Sequence, residues 1–189
     1  MKAAIFGGTF NPVHAGHLVI GASVLRGFDF DKVLFIPAFI PPHKNVDDPG
    51  PEIRLEMLSA AIAPFEGFAV SDCEISRRGI SYTIDTVREL VAKGVVEQRP
   101  GVLIGDDLAS GFSRWRLASD LAKEARIIVV HRSTRRRLAL DFPHEYLDNE
   151  ITPLSSSEVR TLIKSGGAWK NLVPARVAEI IESRRLYGL

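Results

Sequence analysis

The sequence predicts an α/β fold, one domain built on a parallel sheet. Three observations carry that reading. Short apolar runs alternate along the chain with segments of helical periodicity, the order expected of parallel strands joined by right-handed crossover helices. The first, second and fourth runs stop at Gly7-Gly8, Pro37 and Gly105, residues that let the chain leave a strand sharply. The length, 189 residues, fits one domain and shows neither internal repeat nor low-complexity linker.

Ala3 to Phe6 is the first buried strand, and Leu18, Ala22 and Leu25 mark the helix after it, with Gly27 as its stop. Val33 to Ile36 is the second strand. Pro37 to Pro51 is proline-rich and reads as a loop, long enough to suggest function. Leu55, Leu58 and Ile62 define the next helix, Phe68 to Val70 the third strand, and Ser81 to Lys93 a helix with Ile84, Val87 and Val91 on one face. Val102 to Ile104 and Ile127 to Val130 are further strands, separated by helical character within Leu117 to Ala125. Ser157 to Lys164 and Ala175 to Arg185 close the chain as helices, the second with Val177, Ile180 and Ile181 facing inward.

Bulk properties narrow the function. Apolar residues make up 46% of the chain, enough for a real core, while a net charge of +1 gives no global attraction to nucleic acid or membrane. Cys73 is the single cysteine, so neither an internal disulfide nor a cysteine metal site is expected, and the reduced cytoplasm is the simplest compartment. The apolar run near the start is shorter than the ~7–15 residues of a signal peptide core, and no stretch approaches the ~18 of a membrane span.

In open parallel sheets ligands bind beyond the carboxyl ends of strands. After the first strand comes Gly7-Gly8-Thr9-Phe10-Asn11-Pro12-Val13-His14-Ala15-Gly16-His17. Paired glycines admit close backbone approach, Thr9 adds a hydroxyl, and His14 and His17 share one face at a helix start, where free N–H groups favour anions. The combination suits a polyphosphate better than a tight turn with two surface histidines. Near the far end, Ser155-Ser156-Ser157 precede a helical pattern with Arg160 one turn in. Alone that is a capped helix; it is also a second set of anion donors. Lys44, in Pro42-His43-Lys44, is a mobile point charge that serves either solvent or a phosphate.

These segments resemble the nucleotidyltransferase superfamily with the HxGH signature, and GGTFNPVHAGH is similar to that signature. The resemblance implies a Rossmann-like doubly wound parallel sheet. It implies that Gly7, Gly8, Thr9, Phe10, His14 and His17 form part of an ATP site, and that the two histidines stabilise charge as pyrophosphate leaves. Leu154 to Arg160 resembles the superfamily's ISSTxxR motif, which implies phosphate contacts from Ser155, Ser156, Ser157 and Arg160. The loop around Lys44 resembles the family's PHK loop.

Two middle segments bear on the second substrate. Ser81-Tyr82-Thr83-Ile84-Asp85-Thr86 reads as a helix cap or as donors for a carboxylate, and Trp115 as a core residue or a platform for a flat cationic ring. Both resemble motifs of bacterial nicotinate-mononucleotide adenylyltransferase, and the resemblance runs from residue 5 to residue 187. It implies that Thr83 and Trp115 hold the nicotinate ring, that Lys44 serves the same nucleotide, and that Asp107 contacts the ATP-side ribose. Asp107, rather than Asp106, stands eight residues before Trp115, as in the family. Asn11 replaces a common Asp, with little effect expected. Arg135, Arg136 and Arg137 lie in a stretch that reads as solvated loop or basic rim.

The implied reaction is attack by a nucleotide phosphate on the α-phosphorus of ATP. No general base is needed, because that phosphate is already ionised; Mg2+ is expected to arrive with ATP. Partners are therefore small molecules, ATP and nicotinate mononucleotide, with no nucleic acid or membrane; a homo-oligomer is left open. Phosphopantetheine or nicotinamide mononucleotide as acceptor, and a non-catalytic ATP sensor, are the competing readings. All four of His14, His17, Lys44 and Arg160 are present, which favours an enzyme.

Overall fold

The computed structural model describes residues 1–40 and 48–189. Its six strands are β1 (Ala3–Gly8), β2 (Lys32–Pro37), β3 (Phe68–Val70), β4 (Gly101–Gly105), β5 (Arg126–Val130) and β6 (Glu145–Tyr146). They form one sheet in the order β3-β2-β1-β4-β5-β6, and every pair is parallel. This is the doubly wound Rossmann-like order, built outward in both directions from β1 and β4. The helices are α1 (Ala15–Gly27), α2 (Pro51–Ile62), α3 (Cys73–Arg77), α4 (Thr83–Ala92), α5 (Asp106–Ala109), α6 (Ala118–Glu124), α7 (Ser156–Lys164) and α8 (Ala175–Ser183).

Alternation along each strand divides the core into two. Ala4, Phe6, Val33, Phe35, Leu103, Ile128 and Val130 face one side, where they pack with Ile20 and Val24 of α1, Met57 and Leu58 of α2, Val159 and Ile163 of α7, and Val177 and Ile181 of α8. Ala3, Ile5, Leu34, Ile36, Val102, Ile104, Ile127 and Val129 face the other, with Ile84, Val87 and Leu90 of α4 and Leu121 of α6. A strand buried on both faces reads as a continuous apolar run, which is why β1, β2, β4 and β5 were visible in the sequence.

The structure adds elements that the sequence pattern did not reveal. β6 is only Glu-Tyr, and it falls just after the stretch expected to be solvated loop or basic rim. Within that stretch, Arg137 lies 5.6 Å over the ring of Tyr146, whose hydroxyl accepts the Leu138 N–H at 2.7 Å. α3 was missed as well. It is locked to α4 by polar contacts: the Thr86 hydroxyl donates to Glu74 at 2.6 Å, and Arg77 reaches both Thr86 and Glu89. No helix among the described residues is long and apolar enough to cross a membrane.

Phe35 is fully buried and touches the rings of Phe6, Phe10 and Phe68. Truncating it leaves a cavity beneath the turn that follows β1. Phe35→Ala is expected to lower stability by about 3–5 kcal/mol, read as a fall in the urea midpoint at unchanged m-value.

Candidate active site

The strand order reverses between β1 and β4, and a crevice opens beyond their carboxyl ends. β1 delivers Gly7 to Phe10 to that crevice, and β4 delivers Gly105 to Asp107. Gly7 is exposed, and a Cβ added there would meet nothing within 4 Å, so its backbone is open to a ligand. A Cβ on Gly8 would lie 3.0 Å from the Phe10 ring. Phe10 itself has a left-handed φ of 51°, rare for a bulky residue. Its ring is buried in the core against Phe6 and Phe35, so any ligand contact from Phe10 falls to its backbone.

His14 is the N-cap of α1 and His17 the third residue of its first turn. Their rings lie 3.8 Å apart, as the spacing on one helix face requires. His17 Nδ1 accepts the His14 backbone N–H at 3.2 Å; the neutral His17 ring therefore carries its proton on Nε2. His14 is buried, and both of its ring nitrogens lack a hydrogen-bond partner among the described residues. Buried polar atoms of this kind are rare and normally satisfied. Burial, and secondarily the positive charge of Arg132, pull the His14 imidazole down from 6.5 to about 4. At neutral pH it is an uncharged ring with an N–H to donate.

The serines divide their work. Ser155 caps α7 by accepting the Glu158 N–H at 3.1 Å. Ser156 donates to the carbonyl of Pro12 at 2.9 Å. Arg160 reaches back as expected, but to protein: one N–H goes to the carbonyl of Asn11 at 2.6 Å and another to the Ser157 hydroxyl at 3.2 Å. That uses two of five guanidinium donors. Asn11 is buried and its Oδ1 accepts the Tyr187 hydroxyl at 2.7 Å, so the residue that departs from the common Asp keeps an acceptor role. The segment after β1 and the start of α7 are thus bonded to each other.

Asp107 and Ser155 line one cleft of about 350 Å³, with Arg132, Ser133, Thr152, Pro153, Leu154 and Glu158. Thr152 also approaches the point where a Cβ on Gly16 would touch the His14 ring, which places His14 beside this cleft. The Asp107 carboxylate meets Arg132 at 3.3 Å and folds so closely over Gly105 that an added Cβ would lie 2.0 Å from it; a larger residue there would displace the Asp107 and Arg132 side chains. Asp106, by contrast, is buried. Burial alone would raise its carboxyl, but the N–H groups of Thr134, Arg132 and Ser133 outweigh this and hold it below the ordinary carboxylate range.

Thr83 opens α4. The segment before it is tied to the end of β2, since Ser81 accepts the Phe39 N–H at 3.0 Å and donates its own N–H to the carbonyl of Ile40. Trp115 is half-buried and leans on Phe112 with ring centroids 5.5 Å apart; it is neither a sealed core residue nor a loose one. Lys44 lies outside the described residues.

Arg54 was missed by sequence reasoning. It is fully buried and binds Asp48 at 2.9 Å, the carbonyl of Thr9 at 2.9 Å and the carbonyl of Phe39 at 3.2 Å. The signal was available: Arg54 stands four residues before Leu58, a cation on the apolar face of its helix.

Two outcomes are expected. The unfolded chain binds a proton on His14 near pH 6.5 and the folded chain only near 4, so stability is lost as pH falls through that window, by up to about 1.4 kcal/mol per pH unit. His14→Asn removes this slope, which denaturation measured at several pH values would reveal. Arg54→Met strands the Thr9 and Phe39 carbonyls and the Asp48 charge; a loss of about 3–5 kcal/mol is expected in chemical denaturation.

Residues 5–162 match the cytidylyltransferase-like family. The probable nicotinate-nucleotide adenylyltransferase of Borrelia hermsii is 37% identical over 187 residues, covering 99% of this chain and 98% of that protein. Its counterpart in Treponema pallidum is 37% identical over 202 residues, with 99% of each chain covered. Among solved structures, the nicotinic acid mononucleotide adenylyltransferase of Plasmodium falciparum complexed with NaAD superposes with a TM-score of 0.78 at 16% identity, covering 98% of this chain and 97% of that one. The agreement confirms the fold. The relatives show the family: this chain is a nucleotidyltransferase and belongs to the nicotinate-nucleotide adenylyltransferases of the cytidylyltransferase-like family.

Proposed function

We propose that the protein transfers AMP from ATP to nicotinate mononucleotide, giving deamido-NAD and pyrophosphate, as a step of NAD biosynthesis. The observation that carries this reading is the buried His14, whose ring nitrogens lack a hydrogen-bond partner among the described residues and whose ring lies 3.8 Å from that of His17 at the head of α1, in the crevice where strand order reverses. A phosphate of the acceptor forms its bond to the α-phosphorus as the bond to pyrophosphate breaks, roughly in line. In this reading His14 and His17 donate N–H groups to the phosphate chain, Gly7, Gly8 and Thr9 offer backbone donors, and Arg160 with the α7 start receives the departing phosphates. Asp107 takes the ribose hydroxyls of ATP, Thr83 and Trp115 hold the nicotinate, and Lys44 serves a phosphate.

Imidazoles, hydroxyls and a guanidinium recognise phosphate oxygens rather than a bare cation. That donor set fits a metal that enters with ATP, and Mg2+ bound there would offset charge on the pyrophosphate as it leaves. Asp107 and Glu158 are the carboxylates of the cleft, and Asp107 already faces Arg132. We place the enzyme in the cytoplasm, where its single cysteine, buried Cys73, stays reduced.

Pyrophosphate release from Mg-ATP, measured with nicotinate mononucleotide, nicotinamide mononucleotide and phosphopantetheine in parallel, tests the reading. Strong turnover is expected with the first; turnover with phosphopantetheine alone would overturn the acceptor, and ATP binding without turnover would indicate a sensor. His17→Ala is expected to lower kcat by roughly 10²–10³ with the fold intact, since it acts on charge developing in the transition state. Trp115→Ala is expected to raise KM for the pyridine nucleotide more than for ATP; equal shifts would assign Trp115 to packing.

A further inference from the structure

Asp106 has no role in the reaction as drawn, yet it is among the best-coordinated side chains of the site. One oxygen accepts the Arg132 N–H at 3.1 Å and both the N–H and hydroxyl of Ser133 at 3.0 Å; the other accepts the Thr134 N–H at 2.9 Å. A buried carboxylate with several N–H donors is a strong, directional anchor. The turn it holds is braced from behind as well. Asn149 accepts the His131 N–H and donates to the His131 carbonyl, both at 2.9 Å, and the His131 ring stacks on Tyr146 at 5.2 Å. The backbone at residue 132 is therefore fixed.

The side chain that leaves this fixed point is another matter. Arg132 is 39% exposed and Asp107, which it meets at 3.3 Å, 40%. An exposed ion pair of this kind is weak and easily exchanged. In the proposed reading, ribose hydroxyls take Asp107 when ATP binds, and the guanidinium must turn elsewhere. It stands on the wall of the cleft that also contains Ser155, and its charge is felt at His14.

We propose that Arg132 is a further anion-binding residue of the nucleotide site, and that Asp106 is the positioning residue that aims it. Arg132, paired here with Asp107, turns to the phosphate chain of bound ATP, while Asp106 holds the backbone pivot still.

This rests on the assignment of the cleft to ATP. The experiment is a double-mutant cycle with Asp106→Ala, Arg132→Ala and the pair, scored by ATP affinity in calorimetry and by KM and kcat for both substrates. Arg132→Ala and Asp106→Ala are each expected to weaken ATP by about tenfold, with a much smaller change in KM for nicotinate mononucleotide. The pair should be no worse than the stronger single variant, because contacting groups that act in series are not additive. Asp106→Asn keeps one of the two acceptor oxygens and should recover part of the loss; it also carries the test if Asp106→Ala fails to fold. A fall in melting temperature with unchanged ATP affinity would reduce Asp106 to a structural brace and overturn the proposal, as would fully additive effects. If the wild-type protein binds ATP but transfers no AMP, the reaction assignment fails while the ATP-affinity cycle still decides this one.

Discussion

Parallel pairing across the whole sheet is the constraint from which the rest follows. Because every strand points the same way, every strand ends at the same edge, and the chain must return by a helix before the next begins. Winding starts at β1, moves out to β2 and β3, then crosses back to β4 and continues to β5 and β6. The two central strands send their following segments to opposite faces of the sheet. A crevice between those departures is unavoidable, and it is where the glycine turn after β1 and the aspartates after β4 stand.

Sheet topology alone does not hold loops at hydrogen-bond accuracy. Three buried polar locks do that here. Arg54 binds the Thr9 carbonyl from beneath and joins it to Phe39 and Asp48. Asn11 and Pro12 are gripped from the other end of the chain by Arg160, Ser156 and Tyr187. Asp106 gathers the turn after β5. Each lock satisfies backbone groups that would otherwise be buried unpaired, so each stabilises the fold and the site together. Removing one partner costs more than the bond is worth in isolation, since the stranded carbonyl or charge stays buried.

Much of this was legible in the sequence, for physical reasons. Strands buried on both faces have no choice but to be apolar throughout, and two histidines three apart at a helix start share a face, as their rings do. Of the two adjacent aspartates, Asp106 is turned inward and Asp107 outward. What escaped notice depends on long-range partners. β6 is two residues long, too short for any period to register. Arg160 looked like a phosphate ligand alone, because nothing local says that the carbonyl of Asn11 lies within its reach. Arg54 was hidden in a helix whose apolar face seemed complete without it. The backbone carbonyls that these side chains serve leave no mark on the sequence.

The low proton affinity of His14 bears on recognition itself. A polyanion placed against that ring would not undo its burial, but it would offset the depression by giving the buried nitrogens an acceptor and opposing the charge of Arg132. Binding of such a ligand would then draw a proton from solvent on the acid side of neutrality. Under the proposed function, the heat of association would depend on the buffer's own ionisation enthalpy, and the nucleotide would be held more tightly as the medium acidifies, until the unbound ring begins to titrate too. In that role the imidazole would be a counter-ion charged by the ligand it receives.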